Sequence, residues 1–265
     1  MTLTVLPIRA AYRADRPYGR ANAGTALRGA LGHALRAGDP DFADYFFNAR
    51  LGSAKTPSGY KTPPKPFVLR PEIGGSEEWS LTINCFDEPR LNLPALSHAL
   101  ERLQAGCKLM NLELGERILL PLPPPVPSDP GPLVVDFLTP AHLPGNGQPD
   151  FPNLIRAVGQ RLKALALFYG QGQWAPGELA GFEAHTAGAR HAIVNLTEFR
   201  TERTSTRTAQ THAIGGFTGR IEYHACWRSY DAWLTAGLQT GIGKHTQFGN
   251  GIYSMASGQL DGHGT

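Results

Sequence analysis

The first residues suited to chemistry lie in one helical segment, TALRGALGHALR at residues 25–36. Apolar residues recur there at spacings of three and four, which predicts a core-facing stripe made of Leu27, Ala30, Leu31, Ala34 and Leu35. The other face consists of Arg28, Gly29, Gly32, His33 and Arg36. Histidine as a residue type can transfer protons near neutral pH, and arginine can neutralise a phosphate. This face predicts either a phosphate-binding, proton-transferring surface or a solvated face whose glycines pack against a neighbouring strand.

Two glycines inside this helix need an explanation. In a helix interior, each costs about 1 kcal/mol relative to alanine. Close approach of another backbone to Gly29 and Gly32 would compensate for that cost. Because these glycines lie between two arginines and a histidine, the backbone of a nucleic acid is one candidate.

The loop before this helix carries two arginines and a tyrosine in RPYGR, residues 16–20. Arginine can bind phosphate through its planar fork, and tyrosine can stack on a base. Tyr18 and Arg20 are therefore reserve candidates for the same chemistry, with an ordinary exposed loop as the alternative.

A cluster of six arginines follows in the second half of the chain: Arg190, Arg200, Arg203, Arg207, Arg220 and Arg228. The formal net charge is only +3, so the arrangement of charge rather than its total must predict a partner. Threonines lie between the central arginines, and arginine with hydroxyl donors is a common phosphate-contacting combination. Arg200, Arg203 and Arg207 are accordingly predicted to bind phosphate, with a polar hairpin tip as the alternative.

The most specific pattern is the glycine-rich segment GIGKHTQFGNG at residues 241–251. Exposed backbone N–H groups beside a lysine would suit an anion. A Walker A loop is excluded because Leu238 occupies the position of its first glycine and His245 replaces its hydroxyl residue. A nucleotide-dependent enzyme is thereby disfavoured. The predicted anion contacts are Gly241, Gly243, Lys244, His245 and Gly249.

The cysteines and the remaining histidines predict no metal site and no cofactor. Cys85, Cys107 and Cys226 are far apart and odd in number, which fits a reducing cytoplasm and gives neither a zinc motif nor a disulfide framework. The first residues lack the apolar core of a signal peptide, and no apolar run is long enough to span a bilayer. Four histidines are expected to be structural or solvated: His98, His142, His185 and His263.

Both halves of the chain show a similar order of predicted elements. The first half has strands at 3–12, 67–69, 80–86 and 117–120, with helices at 25–37 and 93–104. The second has a strand at 133–138, helices at 151–169, 178–184 and 229–238, two strands within 191–225 and a strand at 248–255. The proline-rich residues 120–132 form the natural linker. The sequence thus predicts an α+β fold of tandem ferredoxin-like (RRM-like) domains, residues 1–125 and 126–265.

Five separated segments in both halves carry motifs that recur together in one known family. They are residues 25–36, KPFVLRP at 65–71, LALFYG at 165–170, GFTGRIEYHA at 216–225 and the glycine-rich segment 241–251. In this order they resemble the CRISPR-associated repeat-processing endoribonucleases of the RAMP superfamily. One departure is that residues 39–55 contain no cysteine, which indicates a divergent subtype, with the type IV CRISPR systems as one candidate.

The resemblance implies metal-independent cleavage of precursor CRISPR RNA within its repeats. The 2′-hydroxyl attacks the adjacent phosphorus and leaves a 2′,3′-cyclic phosphate and a 5′-hydroxyl. His33 is then the candidate acid or base, Arg28 and Arg36 stabilise the phosphate, and Tyr18 and Arg20 stand in reserve. The arginine run and the glycine-rich segment would bind RNA.

The implied partners are a stem-loop repeat RNA and other subunits of a CRISPR effector complex. The alternative function is a non-catalytic RAMP subunit that holds guide RNA in such a complex. That function would use the same arginines and glycine-rich segment, but it needs no acid and base beside the bond.

Overall fold

The computed structural model describes residues 1–14, 23–48, 63–73, 77–103, 107–144, 148–174, 177–178, 181–204 and 211–257. The chain forms two compact units. The first consists of Met1–Leu120, Ala164–Gly172 and Gln247–Gly249, and the second of Pro121–Lys163, Gln173–Thr246 and Asn250–Thr265. The predicted domain boundary between residues 125 and 126 lies in the proline-rich stretch and stays a prediction.

The first unit has the β-α-β-β-α-β order of a ferredoxin-like domain, with one added helix and one added strand. Its elements are β1 (Thr2–Ala14), α1 (Ala23–Gly38), α2 (Pro40–Asn48), β2 (Phe67–Ile73), β3 (Glu78–Cys85), α3 (Leu93–Glu101), β4 (Cys107–Leu114) and β5 (Ile118–Pro121). The sheet order is β2-β3-β1-β4, and β5 also pairs with β1. The β1–β3, β1–β4 and β2–β3 pairs are antiparallel. This strand order confirms the predicted fold.

The core of the first unit fixes the orientation of α1. Ile8 and Tyr12 on the inner face of β1 pack in one cluster with Leu27, Leu31 and Leu35 of α1. The three leucines are at most 1% exposed. The apolar stripe predicted for this helix is therefore its buried side, and its other residues are left to the flanks and the outer face.

The second unit repeats the same topology. Its elements are β6 (Gly131–Ala141), α4 (Phe151–Tyr169), β7 (Arg190–Thr204), β8 (Thr211–Ala225), α5 (Asp231–Thr240) and β9 (Tyr253–Ala256). The end of α4, from Ala164, counts with the first unit. The sheet order is β7-β8-β6-β9, with antiparallel pairs throughout. None of the described helices combines the length and the apolar character needed to cross a membrane.

Several predicted elements differ from the structure for local reasons. Helix α2 was not predicted, because aromatic residues have modest helix propensity, yet Phe42, Phe46 and Phe47 are buried and packing stabilises the helix. Strand β4 is absent from the prediction, which places the fourth strand of this half at residues 117–120. Two exposed apolar residues of β4, Met110 and Leu114, obscure its alternation.

Two further expectations about elements are wrong. The described part of the predicted helix at 178–184 is not α-helical: Gly181 has a φ of 66°, and only a short 3-10 helix, Ala184–Thr186, follows. The last strand begins at Tyr253 rather than residue 248, because a 3-10 helix, Thr246–Phe248, is followed by Gly249 and Gly251 with positive φ.

Candidate functional site

The outer face of α1 is open and carries two of the predicted catalytic residues. Ala26, Gly29, His33, Arg36 and Ala37 are all exposed. A Cβ atom on Gly29 would meet no atom within 4 Å. His33 and Arg36 are three residues apart, so their side chains leave the same side of the helix. This face presents an imidazole and a guanidinium beside small residues, which leave room for a ligand to approach the helix closely.

Arg28 is placed differently from His33 and Arg36. Its guanidinium carbon lies 5.0 Å from the centroid of the Phe47 ring and 4.6 Å from that of Phe248. These are cation–π distances, and the side chain is half-buried. The grouping of Arg28 with an open polar face is therefore wrong, because two aromatic rings contact its guanidinium. A role for Arg28 in stabilising the phosphate stays a prediction.

The beginning of α1 packs directly on the backbone at Phe248. A Cβ atom on Gly24 would lie 1.7 Å from the carbonyl oxygen of Phe248, so only glycine permits this approach. On Gly32 a Cβ atom would make an ordinary contact, 3.6 Å from the Phe47 ring. Within the described protein, the close backbone approach expected at Gly29 and Gly32 is thus found at Gly24 instead.

The glycine-rich segment is a tightly packed turn. The N–H of Gly241 donates to the carbonyl of Gly237. The N–H of Ile242 donates to the carbonyl of Gly251. The N–H of Gly251 in turn donates to the carbonyl of Pro140. The N–H groups of Gly241, Ile242 and Gly251 therefore donate to carbonyl groups of the protein itself and are not left for an anion.

Lys244 and His142 lie together in the second unit. The N–H of Lys244 approaches the carbonyl oxygen of His142 at 3.4 Å, and a Cβ atom on Gly243 would lie 2.2 Å from that same oxygen. Partial burial, and then the positive charge of Lys244, lower the pKa of His142. The Lys244 side chain is exposed. His245 adopts a left-handed φ of 66°, which is uncommon outside glycine.

The predicted arginine run lies on a long hairpin. β7 and β8 form it, with Arg200 paired to Gly215 and Arg203 to His212 in the backbone register. The side chains of Arg200 and Arg203 lie outside the described part of the structure. Arg207, Tyr18 and Arg20 lie wholly outside it.

Three other arginines of the second unit have described side chains. Arg190 is exposed, Arg220 lies 3.7 Å from Glu222, and the Arg228 guanidinium lies 4.8 Å from the Trp227 ring centroid. Two of these three arginines therefore contact another side chain, and the clustering of the six arginines around an RNA stays a prediction.

No metal centre emerges from the part of the chain that the structure describes. Within that part, no group of three or more His, Cys, Asp or Glu residues could hold an ion. The expectation that neither metal nor cofactor takes part stays a prediction.

The sequence patterns do not identify three residues that matter for these sites: Phe47, Phe248 and His142. Phe248 carries a usable signal, because it is the only large apolar residue between Lys244 and Gly251, and such a residue is typically buried. Phe47 and His142 carry none, since their partners are distant in the sequence.

Comparison with known proteins gives one family. Residues 135–253 match the family model described as CRISPR-associated endoribonuclease Cas6. No curated protein matches the chain.

Solved structures similar to this chain include Cas6 proteins. A product complex of Cas6 (TTHB231) has a TM-score of 0.59 and 16% identity, covering 95% of this chain and 100% of that one. The Thermus thermophilus structure of Cas6 (TTHB231) gives 0.59 and 15%, covering 97% and 99%. A product complex of Cas6 (TTHA0078) gives 0.57 and 19%, covering 96% and 100%. At these identities the likeness establishes the fold alone.

Proposed function

We propose that the chain is a member of the Cas6 family of CRISPR repeat-processing proteins in the RAMP superfamily, and that it is an endoribonuclease that cuts precursor CRISPR RNA within its repeats. The observation that carries this proposal is the family match across residues 135–253. Its substrate would be a stem-loop repeat RNA. The three cysteines are free thiols, which suits the reducing cytoplasm where we propose it acts. A type IV subtype and contacts with other effector subunits stay predictions.

We propose that cleavage proceeds by attack of the 2′-hydroxyl on the adjacent phosphorus, without a metal ion. The products would be a 2′,3′-cyclic phosphate and a 5′-hydroxyl. The reaction needs in-line geometry, a base for the 2′-hydroxyl, an acid for the leaving oxygen and positive charge for the phosphorane. His33 would make one of the two proton transfers. Arg36, on the same side of α1, would stabilise the developing charge.

RNA binding would extend beyond α1. We assign phosphate contacts to Lys244, whose side chain is exposed, and to Arg200, Arg203 and Arg207 of the hairpin. Gly241, Gly243 and Gly249 would shape the turn that presents Lys244 and His245, since all three have positive φ. Such contacts position the RNA and carry no sequence information themselves.

One observation favours the alternative, a non-catalytic subunit that holds guide RNA. Among the described residues of the outer face of α1, His33 is the only histidine, the residue type used most often as a general acid or base. The reaction needs two such transfers. A protein that only holds RNA needs neither.

Incubation of the protein with repeat RNA in EDTA, followed by analysis of the product ends, tests the function. We expect a 2′,3′-cyclic phosphate in the presence of the chelator. A single 2′-deoxy substitution just upstream of the cut should abolish cleavage and leave binding nearly intact, because it removes the nucleophile alone. Cleavage that requires magnesium, or that persists on the deoxy substrate, would contradict the mechanism. Binding without any cleavage would favour the non-catalytic subunit.

A further inference from the structure

Four residues of the first unit form one packed cluster, here called the α1 clamp: Gly24, Arg28, Phe47 and Phe248. The Arg28 guanidinium lies 5.0 Å from the Phe47 ring centroid and 4.6 Å from that of Phe248. Gly24, one turn earlier, meets the carbonyl oxygen of Phe248 so closely that a Cβ atom there would lie 1.7 Å from it. Phe47 and Phe248 are 2% and 6% exposed. The clamp therefore holds two successive turns of α1 on its flank.

Phe248 is itself fixed within the first unit. The residue after it, Gly249, has a φ of 80°, and a Cβ atom on Gly249 would lie 3.0 Å from Pro71 and 3.3 Å from the carbonyl oxygen of Leu69. Pro71 and Leu69 belong to β2. The ring and carbonyl that hold α1 are thus attached to the sheet and not to a free loop end.

The geometry separates the clamp from the outer face of α1. Arg28 and His33 are five residues apart, which places them about 140° apart around a helix that turns about 100° per residue. Arg28 thus contacts protein on one flank while His33 is exposed. A guanidinium can stack through both of its planar faces, whereas a lysine ammonium cannot. The contact with Gly24 limits movement along the helix axis, and the stacked Arg28 limits rotation about it.

We infer that the α1 clamp positions His33 and Arg36 for cleavage, so that Arg28 and Phe248 are positioning residues that do not touch the RNA. This inference rests on the proposed function. It gives the phenylalanine of the glycine-rich segment a role in setting the geometry of α1. It also accounts for an arginine in the middle of α1 without a phosphate contact.

The test compares Arg28→Lys and Arg28→Met with a matched control, Arg117→Lys. Arg117 is an exposed arginine of the same unit. It pairs with Glu88, which is not a residue of the clamp. Hydrogen exchange of the amides of α1 is measured first, on RNA-free protein. Arg28→Met loses both cation–π contacts, whereas the ammonium of Arg28→Lys cannot stack on both rings as a guanidinium does. Exchange across α1 should therefore speed by about tenfold in Arg28→Met and by a smaller factor in Arg28→Lys. The control should match wild type.

Single-turnover cleavage at saturating protein and affinity for an uncleavable 2′-deoxy repeat RNA are then measured. We expect cleavage to fall by about tenfold in Arg28→Met and by a smaller factor in Arg28→Lys, with Kd within about twofold of wild type in both. In Arg28→Met the dependence of log affinity on log salt should be unchanged. A slope lower by about 0.7 would mark a lost phosphate contact and overturn the inference. Wild-type cleavage despite faster exchange would also overturn it.

A second variant, Phe248→Leu, keeps apolar bulk and removes one of the two rings that contact Arg28, so the test does not depend on one substitution at Arg28. It should reproduce the faster exchange and the slower cleavage at unchanged Kd. Unchanged exchange in all three variants would show that no clamp exists. If wild-type protein cuts no repeat RNA, the proposed function fails, while the exchange measurement still decides whether the clamp holds α1.

Discussion

Gly24 and Gly29 occupy the same helix but opposite environments: a Cβ atom on Gly24 would lie 1.7 Å from the carbonyl oxygen of Phe248, and one on Gly29 would meet nothing within 4 Å. Packing explains the first glycine. It does not explain the second, because an exposed helical glycine is destabilising relative to alanine. Gly29 is therefore the position where a functional requirement for glycine can be tested apart from packing.

Alanine at these two positions should change stability in opposite directions. Gly29→Ala should raise the free energy of unfolding by about 0.4–1 kcal/mol, because the unfolded chain has fewer conformations to lose. Gly24→Ala should lower it by about 1–3 kcal/mol or more, because the methyl group would overlap a fixed carbonyl oxygen. Urea denaturation of both variants measures the difference. Equal effects would contradict the packing at Phe248.

The more stable Gly29→Ala variant should nevertheless bind and cut repeat RNA less well than wild type. If the RNA backbone passes over the outer face of α1, a methyl group at Gly29 would hold it away from the helix. Misplacement of the scissile bond by about 1 Å is enough to slow cleavage by roughly a hundredfold. Single-turnover cleavage and the Kd for uncleavable RNA are the measurements.

Gly32→Ala is the matched control for this change. It is the same substitution in the same helix, but Gly32 is buried, and its new methyl group would make ordinary van der Waals contacts with the Phe47 ring and the Arg36 guanidinium without displacing either. Cleavage by Gly32→Ala should stay near wild type. Equal losses in Gly29→Ala and Gly32→Ala would show that helix rigidity, rather than access to the outer face, matters.

His33→Ala should slow single-turnover cleavage by about two to four orders of magnitude, because a general acid or base contributes that much. The affinity for RNA should change little. His98→Ala, in α3, removes a histidine from another helix of the same unit and serves as the control. A near-wild-type rate in His33→Ala would move the search for the acid and base to Tyr18, Arg20 and Arg36.

The pKa of His142 should report whether a phosphate of the RNA binds at Lys244. Partial burial and the Lys244 charge lower this pKa from its ordinary value of 6.5. Lys244→Gln should therefore raise it, and so should a phosphate bound at Lys244, because both reduce the local positive charge. An NMR titration of the imidazole, with and without uncleavable RNA, measures both effects. A pKa that RNA leaves unchanged would argue against a phosphate at Lys244.

The same lowered pKa predicts the sign of a pH dependence. The folded protein binds a proton at His142 less readily than the unfolded chain does, so protonation favours unfolding. Above pH 6.5, the ordinary pKa of histidine, His142 costs the folded protein no stability. The free energy of unfolding then decreases as the pH falls from 6.5 towards the lowered pKa of His142. His142→Gln should lose less stability than wild type on acidification over this range, as urea denaturation at several pH values would show.

Local sequence patterns predict most of the fold and only part of the site. The spacing of Leu27, Leu31 and Leu35 predicts α1, and α4 runs over the predicted residues, Phe151–Tyr169. Such periodicity is a property of neighbouring residues, so the sequence alone reveals it. The contact between Arg28 and Phe248 joins opposite ends of the chain, and no local pattern encodes it.

Arg203, Arg207 and Lys244 provide the last prediction, that they contact phosphates of the bound RNA. Each phosphate contact with a single strand contributes about 0.7 to the slope of log affinity against log salt. Neutralising the three residues should therefore flatten that slope by about two units. All RNAs should lose affinity alike, since phosphate contacts carry no sequence information. Cleavage at saturating protein should persist, because His33 and Arg36 are untouched.

A salt titration on one uncleavable repeat RNA compares this triple variant with wild type and with a charge-matched control. The control neutralises Arg9, Arg13 and Arg117, three exposed arginines of the first unit that pair with glutamates. It removes the same formal charge, so a general loss of electrostatic attraction would flatten both slopes equally. A slope that falls only in the first variant would locate phosphate contacts at the hairpin and Lys244. If neither slope changes, these residues do not face the RNA, and the segment from Gly241 to Gly251 is a structural turn.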